Sequence, residues 1–216
     1  MQPMIFDLTT TQLLGFLLAA VLVTLAPGPD NLSVLGLGMA RGRRAGIGFG
    51  LGCALGCFTH TLWASLGISA VLAASETAFT VLKLAGAAYL CWLGWQALRS
   101  PGAQLRATAG SVDATPFRAY LRRGFVANAI NPKVALFFLA FLPQFVPTGS
   151  AHAAGQSAVL GLVFALQTVL VFGLLGWFAG TVGGWLQRRA NFGRRLDQVT
   201  GILFIGLGLR LAVETR

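Results

Sequence analysis

Leu25-Ala26-Pro27-Gly28-Pro29-Asp30-Asn31 is the stretch on which the reading of this chain turns. It interrupts an otherwise continuous apolar run from Leu13 to Ala40. Each proline removes a backbone donor, its ring clashes with the carbonyl four residues back, and it pushes the preceding residue out of the helical region. A helix entering this stretch must therefore stop and restart. The carboxylate of Asp30 and the amide of Asn31 follow at once. Opened backbone beside an acid, deep in apolar sequence, lines a polar cavity at membrane depth. Asn128-Ala129-Ile130-Asn131-Pro132-Lys133 breaks a second apolar run in the other half of the chain. Paired interruptions in corresponding positions of two halves point to the binding site of a membrane transporter.

Composition agrees. Of 216 residues, 56% are hydrophobic and only 10% charged, and mean hydropathy is +0.73. Soluble domains carry about 25% charged residues, so the class is integral membrane protein. The 28 glycines lie within apolar segments, where they let helices approach closely. A net charge of +10 would suggest nucleic acid in a soluble protein. Here the arginines cluster between apolar runs, a membrane pattern, and nucleic acid is not expected as a partner. Cys53 and Cys57 stand one helical turn apart and read as small packing residues. No metal-ligand set, nucleotide-binding loop of the form Gly-x4-Gly-Lys-Ser/Thr, or catalytic triad spacing is present, so neither a metal, a cofactor nor an enzymatic activity is expected.

A span needs about 20 apolar residues. Six are expected: about Leu8–Ala40 with its break, Gly46–Leu66, Ala78–Leu98, Gly124–Val146 with the second break, Gln156–Gly180 and Val199–Val213. Gly67–Glu76 reads as a short outer connection, partly helical, Arg99–Arg123 as a flexible loop, and Gln187–Asp197 as a basic loop. Gly48, Gly52, Gly56, His60 and Ala64 recur every fourth residue, a small-residue ridge for close contact within the chain or in a homodimer. Loops after spans one, three and five carry Arg41, Arg43 and Arg44, then Arg99, Arg106, Arg118, Arg122 and Arg123, then Arg188, Arg189, Arg194 and Arg195. The other loops carry none. The positive-inside rule places the basic loops in the cytoplasm and both termini outside. Three spans per half make an inverted repeat, about 8–98 and 124–213 around a loop at 99–123, forming one transmembrane domain over 1–216. At ~1.5 Å per residue, Pro29 and Asn131 lie about 18 and 12 Å from the cytoplasmic boundary, close enough in depth to meet.

Among the polar residues, Asp30 is the first candidate for binding a cationic group or accepting a proton, unless it or Asn31 merely caps the restarting helix. Asn128, Asn131 and Lys133 are candidates for meeting a carboxylate, with Pro132 at the favoured first helical position and Lys133 alternatively pairing with Asp30. Gly28 would let the backbone approach a substrate. His60 could relay protons or tie two helices. Lys83 is expected to snorkel to the outer headgroups, Gln167 to tie helices, and Tyr89, Trp92, Trp95, Trp177 and Trp185 to anchor at the interface.

The chain resembles the lysine exporter and homoserine/threonine resistance (LysE/RhtB) family of bacterial amino-acid exporters. The resemblance rests on Pro27-Gly28-Pro29-Asp30, on Arg41-Gly42-Arg43-Arg44-Ala45-Gly46 with Gly52, Gly56 and His60, and on Leu82-Lys83-Leu84-Ala85-Gly86-Ala87-Ala88-Tyr89-Leu90 with Leu93-Gly94. It continues in Gly124-Phe125, Asn128, Asn131-Pro132-Lys133 and Phe141-Leu142-Pro143-Gln144-Phe145. What it implies is an inner-membrane exporter of amino acids or close derivatives, driven by proton antiport. Two other classes stay open: a membrane redox conduit using Cys53 and Cys57, and a non-transporting membrane subunit.

Overall fold

The computed structural model describes residues 8–74, 76–101, 115–147, 150, 152–188 and 190–213, and these are helical with no β-strand among them. Helix α1 (Thr10–Leu25) opens with a capping box. The Thr9 side chain accepts from the backbone of Gln12, and the Gln12 side chain accepts from Thr9, so two orphan donors are satisfied at once. The chain stops at Ala26 and restarts as α2 (Pro29–Arg41), bent from α1 by 56°. Then come α3 (Arg43–Ala74), α4 (Glu76–Arg99) and α5 (Phe117–Ala129). After the second break, α6 (Pro132–Leu136) is a single turn. It passes into a π-helical segment, Phe137–Phe141, and a 3-10 segment, Leu142–Phe145. This broken pair bends by 50°. Helices α7 (Ala153–Trp177), α8 (Ala179–Arg188) and α9 (Ala190–Val213) complete the chain.

Three stretches are long and apolar enough to cross a membrane: Arg43–Leu66, Ala153–Trp177 and Gly193–Val213. Each bent pair meets the same test as a unit, giving three to five candidate spans among the described residues.

Three expected boundaries move, each for a local reason. Helix α3 does not end at Leu66 but runs on to Ala74, because Ala, Leu and Ser after Gly67 support a helix that one glycine costs only about 1 kcal/mol. Helix α5 begins at Phe117, so Arg118, Arg122 and Arg123 stand on a helix rather than in a loop. Pro116 supplies an extended residue just before it. The expected basic loop at Gln187–Asp197 is instead the end of α8 and the first turns of α9, built from good helix formers such as Arg, Gln, Ala and Leu. The hydrophilic stretch 102–114 and the terminal residues 1–7 and 214–216 lie outside the described residues.

Packing follows the glycines. Helix α3 lies along both α5 and α7, and α4 along α9. A Cβ at Gly52 would collide with the Leu121 carbonyl, and one at Gly124 with the Phe49 carbonyl. Gly56 faces Asn128 in the same seam. The ridge on α3 is thus used inside the chain, where it brings backbones into contact. Gly46 meets Gly176 on the α7 side, and Gly94 and Gly201 face each other between α4 and α9. Of Gly176, Gly180 and Gly184, which recur every fourth residue, only Gly176 is closely packed.

The arginine-bearing helix ends gather together. Arg43 sits over the Trp177 ring at 4.9 Å and Arg44 over Phe117 at 5.9 Å, joining the start of α3 to the end of α7 and the start of α5. Ser100, just past α4, hydrogen-bonds Asp197 near the start of α9, and Met39 of α2 packs against Gly183 of α8. At the other end, Phe16, Phe137, Phe138, Phe141, Phe145 and Phe164 form a contiguous aromatic core with ring centroids 4.9–6.2 Å apart. The π-helical turn belongs to this cluster and widens the helix where it meets α1 and α7.

Candidate functional site

The end of α1 leaves carbonyls without intrahelical partners. Ala26 N closes one turn onto the Leu22 carbonyl at 3.0 Å. The next carbonyls are met from elsewhere. Lys133 Nζ donates to the carbonyls of Val23 (3.1 Å) and Ala26 (2.9 Å), and Asn31 Nδ2 donates to that of Thr24 at 2.7 Å. Lys133 therefore caps the negative end of α1 from the other half of the chain, where the helix dipole favours a cation. The residue opposite the ammonium is Gly28. A Cβ there would lie 2.9 Å from Lys133 Nζ. Gly28 is extended, a conformation open to any residue, so the close approach of the lysine is what its lack of a side chain permits.

Helix α2 starts at Pro29 with Gly28 as a bare N-cap, and no side chain closes it. Asp30 and Asn31 are the second and third helical residues, so neither is the cap that their position suggested. Asp30 is 3% exposed. Its Oδ2 accepts from Asn128 Nδ2 at 2.8 Å, while its Oδ1 is buried without a hydrogen-bond partner. Asp30 and Lys133 thus take different partners instead of pairing with each other.

Asn128 is the hub of the second break. Besides holding Asp30, its backbone carbonyl accepts from His60 Nε2 at 2.8 Å, and its Oδ1 accepts from Cys57 Sγ at 3.6 Å. His60 therefore ties α3 to α5, as one of its two readings anticipated, and its ring stacks near Phe138 at 5.8 Å. Cys53 and Cys57 are buried free thiols, one of them a donor within this network. Asn131 caps α6: its Oδ1 accepts from Lys133 N at 3.0 Å, with Pro132 in the first turn. Its Nδ2 has no partner. Because α6 is one turn long, a carboxylate here would be met by Lys133 and this free amide rather than by a long helix dipole. Gln167 of α7 donates to Thr24 Oγ1 at 2.8 Å and to Thr168 Oγ1 at 2.9 Å, the helix tie expected of it.

These residues border two spaces. A small chamber of about 10 Å³ is lined by Thr24, Asp30, Asn128, Lys133, Phe164 and Thr168, among others. That is room for about one water. A cavity of about 460 Å³ opens beside it, lined by both breaks (Pro27, Gly28, Pro29, Asn131, Pro132, Lys133) and by α4 and α9. Lys133 borders both spaces. The larger cavity also contains Tyr89, Trp92, Gln96, Ser100 and Asp197, none of which the sequence reading placed in a site. Tyr89 and Trp92, expected as interfacial anchors, stack at 5.3 Å and form one of its walls. Trp95 and Trp177, also expected as anchors, each lie under an arginine, Arg99 at 4.3 Å and Arg43 at 4.9 Å. Among the described residues, no group of His, Cys, Asp and Glu is arranged to hold a metal ion.

The family of LysE type translocators matches residues 21–215, and the chain belongs to it. An uncharacterized membrane protein of Vibrio cholerae is 35% identical over 92% of this chain and 95% of its own length. One of Pseudomonas aeruginosa is 33% identical over 93% and 94%. A protein of Enterobacter named leucine efflux protein is 26% identical over 91% and 93%. No solved structure matches the chain. A translocator carries solutes across a membrane without converting them, so the chain is a transporter and not an enzyme.

Proposed function

We propose that this member of the LysE type translocator family exports an amino acid with an apolar side chain, by alternating access coupled to an inward-moving proton. One observation carries the reading: both helix breaks border a single cavity of about 460 Å³, within the range of small-molecule sites. Two relatives named leucine efflux protein support the substrate class. Leucine is accordingly the first probe.

In this reading the chain spans the inner membrane six times, with α4 as the further span and the two bent pairs as one span each. Equivalent helices of the two halves pack on each other, α3 on α7 and α4 on α9, which supports the inverted repeat. The arginine-bearing ends face the cytoplasm. The cavity reaches Ser100 and Asp197 at that same end, so it is open to cytoplasmic substrate.

The substrate carboxylate competes with the Val23 and Ala26 carbonyls for Lys133 and takes the free Asn131 Nδ2. When Lys133 turns toward the substrate, the end of α1 loses its cap and the first break is released to rearrange. Asp30 carries the proton. Ionised, it holds Asn128 and so locks α2 to α5. Protonated, it loses the charge that strengthens that bond. His60, bonded to the Asn128 carbonyl, orients the same segment.

Proteoliposomes loaded with leucine and given a proton gradient test this directly. Wild-type protein releases leucine in proportion to the gradient. Asp30→Asn keeps an acceptor for Asn128, so leucine exchange without a gradient survives and gradient-driven release is lost. Leucine, and other amino acids tried in its place, standing still in wild-type vesicles would remove the exporter reading. Release by Asp30→Asn that still follows the gradient would remove Asp30 as the proton carrier.

A further inference from the structure

A second cavity, of about 340 Å³, runs along α3 between α5 and α7, and every residue lining it is apolar. Its floor is Ala54 and Ala165, both buried. Its rims are Leu55 and Phe58 of α3 and Leu162 and Leu166 of α7, each 46–60% exposed. Two small side chains between large ones make a furrow. Helices α3 and α7 both contain stretches long and apolar enough to cross a membrane, so the furrow faces hydrocarbon. What distinguishes it from the rest of that surface is the charge at one end. Arg44 lies seven residues before Leu51, which lines the furrow, and so on the same face of α3. Helix α5 runs parallel to α3 here: Gly48 meets Phe117 and Tyr120, Gly52 meets Leu121, and Gly56 meets Asn128. Arg44 sits over the Phe117 ring at 5.9 Å. Arg118 follows Phe117 and stands three residues before Leu121, which also lines the furrow. Both arginines are exposed. Helices α3, α5 and α7 contain no Asp or Glu, so the helices that form the furrow bring no anion to its charged end.

We propose that this furrow binds an anionic phospholipid, with the phosphate held by Arg44 and Arg118 and one acyl chain laid between α3 and α7. The dimensions agree. At ~1.5 Å per residue, Leu51 and Phe58 lie about 10 and 21 Å along α3 from Arg44, and one leaflet of hydrocarbon is about 15 Å deep. A chain that starts at the arginines therefore ends in the furrow. Guanidinium groups suit phosphate because their N–H forks match its oxygens, and basic pockets between membrane helices are where anionic headgroups are held. Stacking on Phe117 orients the Arg44 plane and leaves its N–H edge to donate. The bound lipid joins α3, α5 and α7, the same seam in which His60 reaches the Asn128 carbonyl. The inference requires only that these helices cross a membrane and is independent of the substrate.

The test titrates the full chain in detergent with phosphatidylglycerol and with phosphatidylcholine of identical acyl chains, and reads bound lipid by native mass spectrometry. Wild-type protein binds one phosphatidylglycerol roughly thirtyfold more tightly than phosphatidylcholine. Arg44→Gln with Arg118→Gln abolishes that preference, while Arg99→Gln, on α4 and away from the furrow, keeps it. Ala54→Leu raises the floor of the furrow, so it weakens both lipids and leaves the preference intact. No preference in wild type overturns the proposal. So does a preference that survives the double variant, or one that falls as far in Arg99→Gln, since the arginines would then act as a diffuse positive surface. Unchanged binding of both lipids by Ala54→Leu places the chain elsewhere and overturns it too, as does a protein dimer that Ala54→Leu dissociates, since a second copy would then cover the furrow. Should the double variant fail to insert, Arg118→Gln alone is read: the preference falls about fivefold, and an unchanged value overturns the proposal.

Discussion

At the first break, α1 ends on carbonyls that an ammonium reaches from the opposite half of the chain, and α2 begins without a side-chain cap. At the second break, the repair is local. Asn131 caps α6 through Lys133 N, and Asn131 N and Ile130 N close onto the Asn128 and Val126 carbonyls at 2.9 and 3.2 Å. Similar proline-bearing sequences thus produce one interruption that depends on its partner and one that largely satisfies itself. The dependent break is suited to move, because the group that satisfies it can be drawn away by a ligand. The self-satisfied break is suited to stay, since its backbone hydrogen bonds close within the segment itself. Lys133 is shared between them: its backbone completes the second break and its ammonium holds the first.

Four substitutions test that asymmetry. Lys133→Met has the largest expected effect. It strands the Val23 and Ala26 carbonyls and removes two charge-assisted hydrogen bonds, for a loss of about 3 kcal/mol, with leucine transport falling to background. Unfolding in detergent and counterflow measure the two effects, and a stable, active variant would break the comparison at its centre. Asn31→Ala comes next at about 2 kcal/mol. It leaves the Thr24 carbonyl buried without its donor, and protease accessibility near residues 24–31 should rise while the second break stays protected. Asn131→Ala costs about 1 kcal/mol as a lost N-cap. It also raises the leucine half-saturation about tenfold through loss of one hydrogen bond to the carboxylate. A stability loss larger than that of Asn31→Ala would reverse the assignment of the mobile break. Gly28→Ala is the mildest, at roughly 1 kcal/mol or less. Its Cβ meets the flexible end of Lys133, so the cap is shifted rather than removed. Hydrogen exchange at the end of α1 should report faster opening, with α6 unchanged.

The residues of the breaks were legible in the sequence because proline chemistry is local. Pro27, Pro29 and Pro132 cannot lie inside a helix without kinking or breaking it, though they fit its first turn, and Asn131 before Pro132 is a capping pair at any depth. The pairing of Asp30 with Asn128 was legible only as a shared depth. What chose Asn128 over Lys133 as the partner of Asp30 was the seam between α3 and α5, where Gly52, Gly56 and Gly124 bring two backbones together. Tyr89, Trp92, Gln96 and Asp197 were missed for the same kind of reason. Their place in the cavity follows from α4 lying along α9 at Gly94 and Gly201, a contact between residues far apart in the chain. The available signal was an acid at Asp197 among arginines, following an apolar stretch and preceding another, on what turned out to be a helix.

The sequence by itself determined a membrane protein of apolar helices, the positions of both interruptions, the polar residues gathered at them and the arginine-bearing ends. Each of these follows from local properties: transfer energy summed along a run, the geometry of proline, and the distribution of charge. The tertiary structure alone decided which break holds the other, which carboxylate faces the large cavity and which the small chamber, and which aromatics wall the site. Those outcomes depend on where helices touch, and helices in an apolar surround touch where small residues permit it. A glycine's presence is written in the sequence, but the backbone that fills the space it leaves is chosen only when the helices pack.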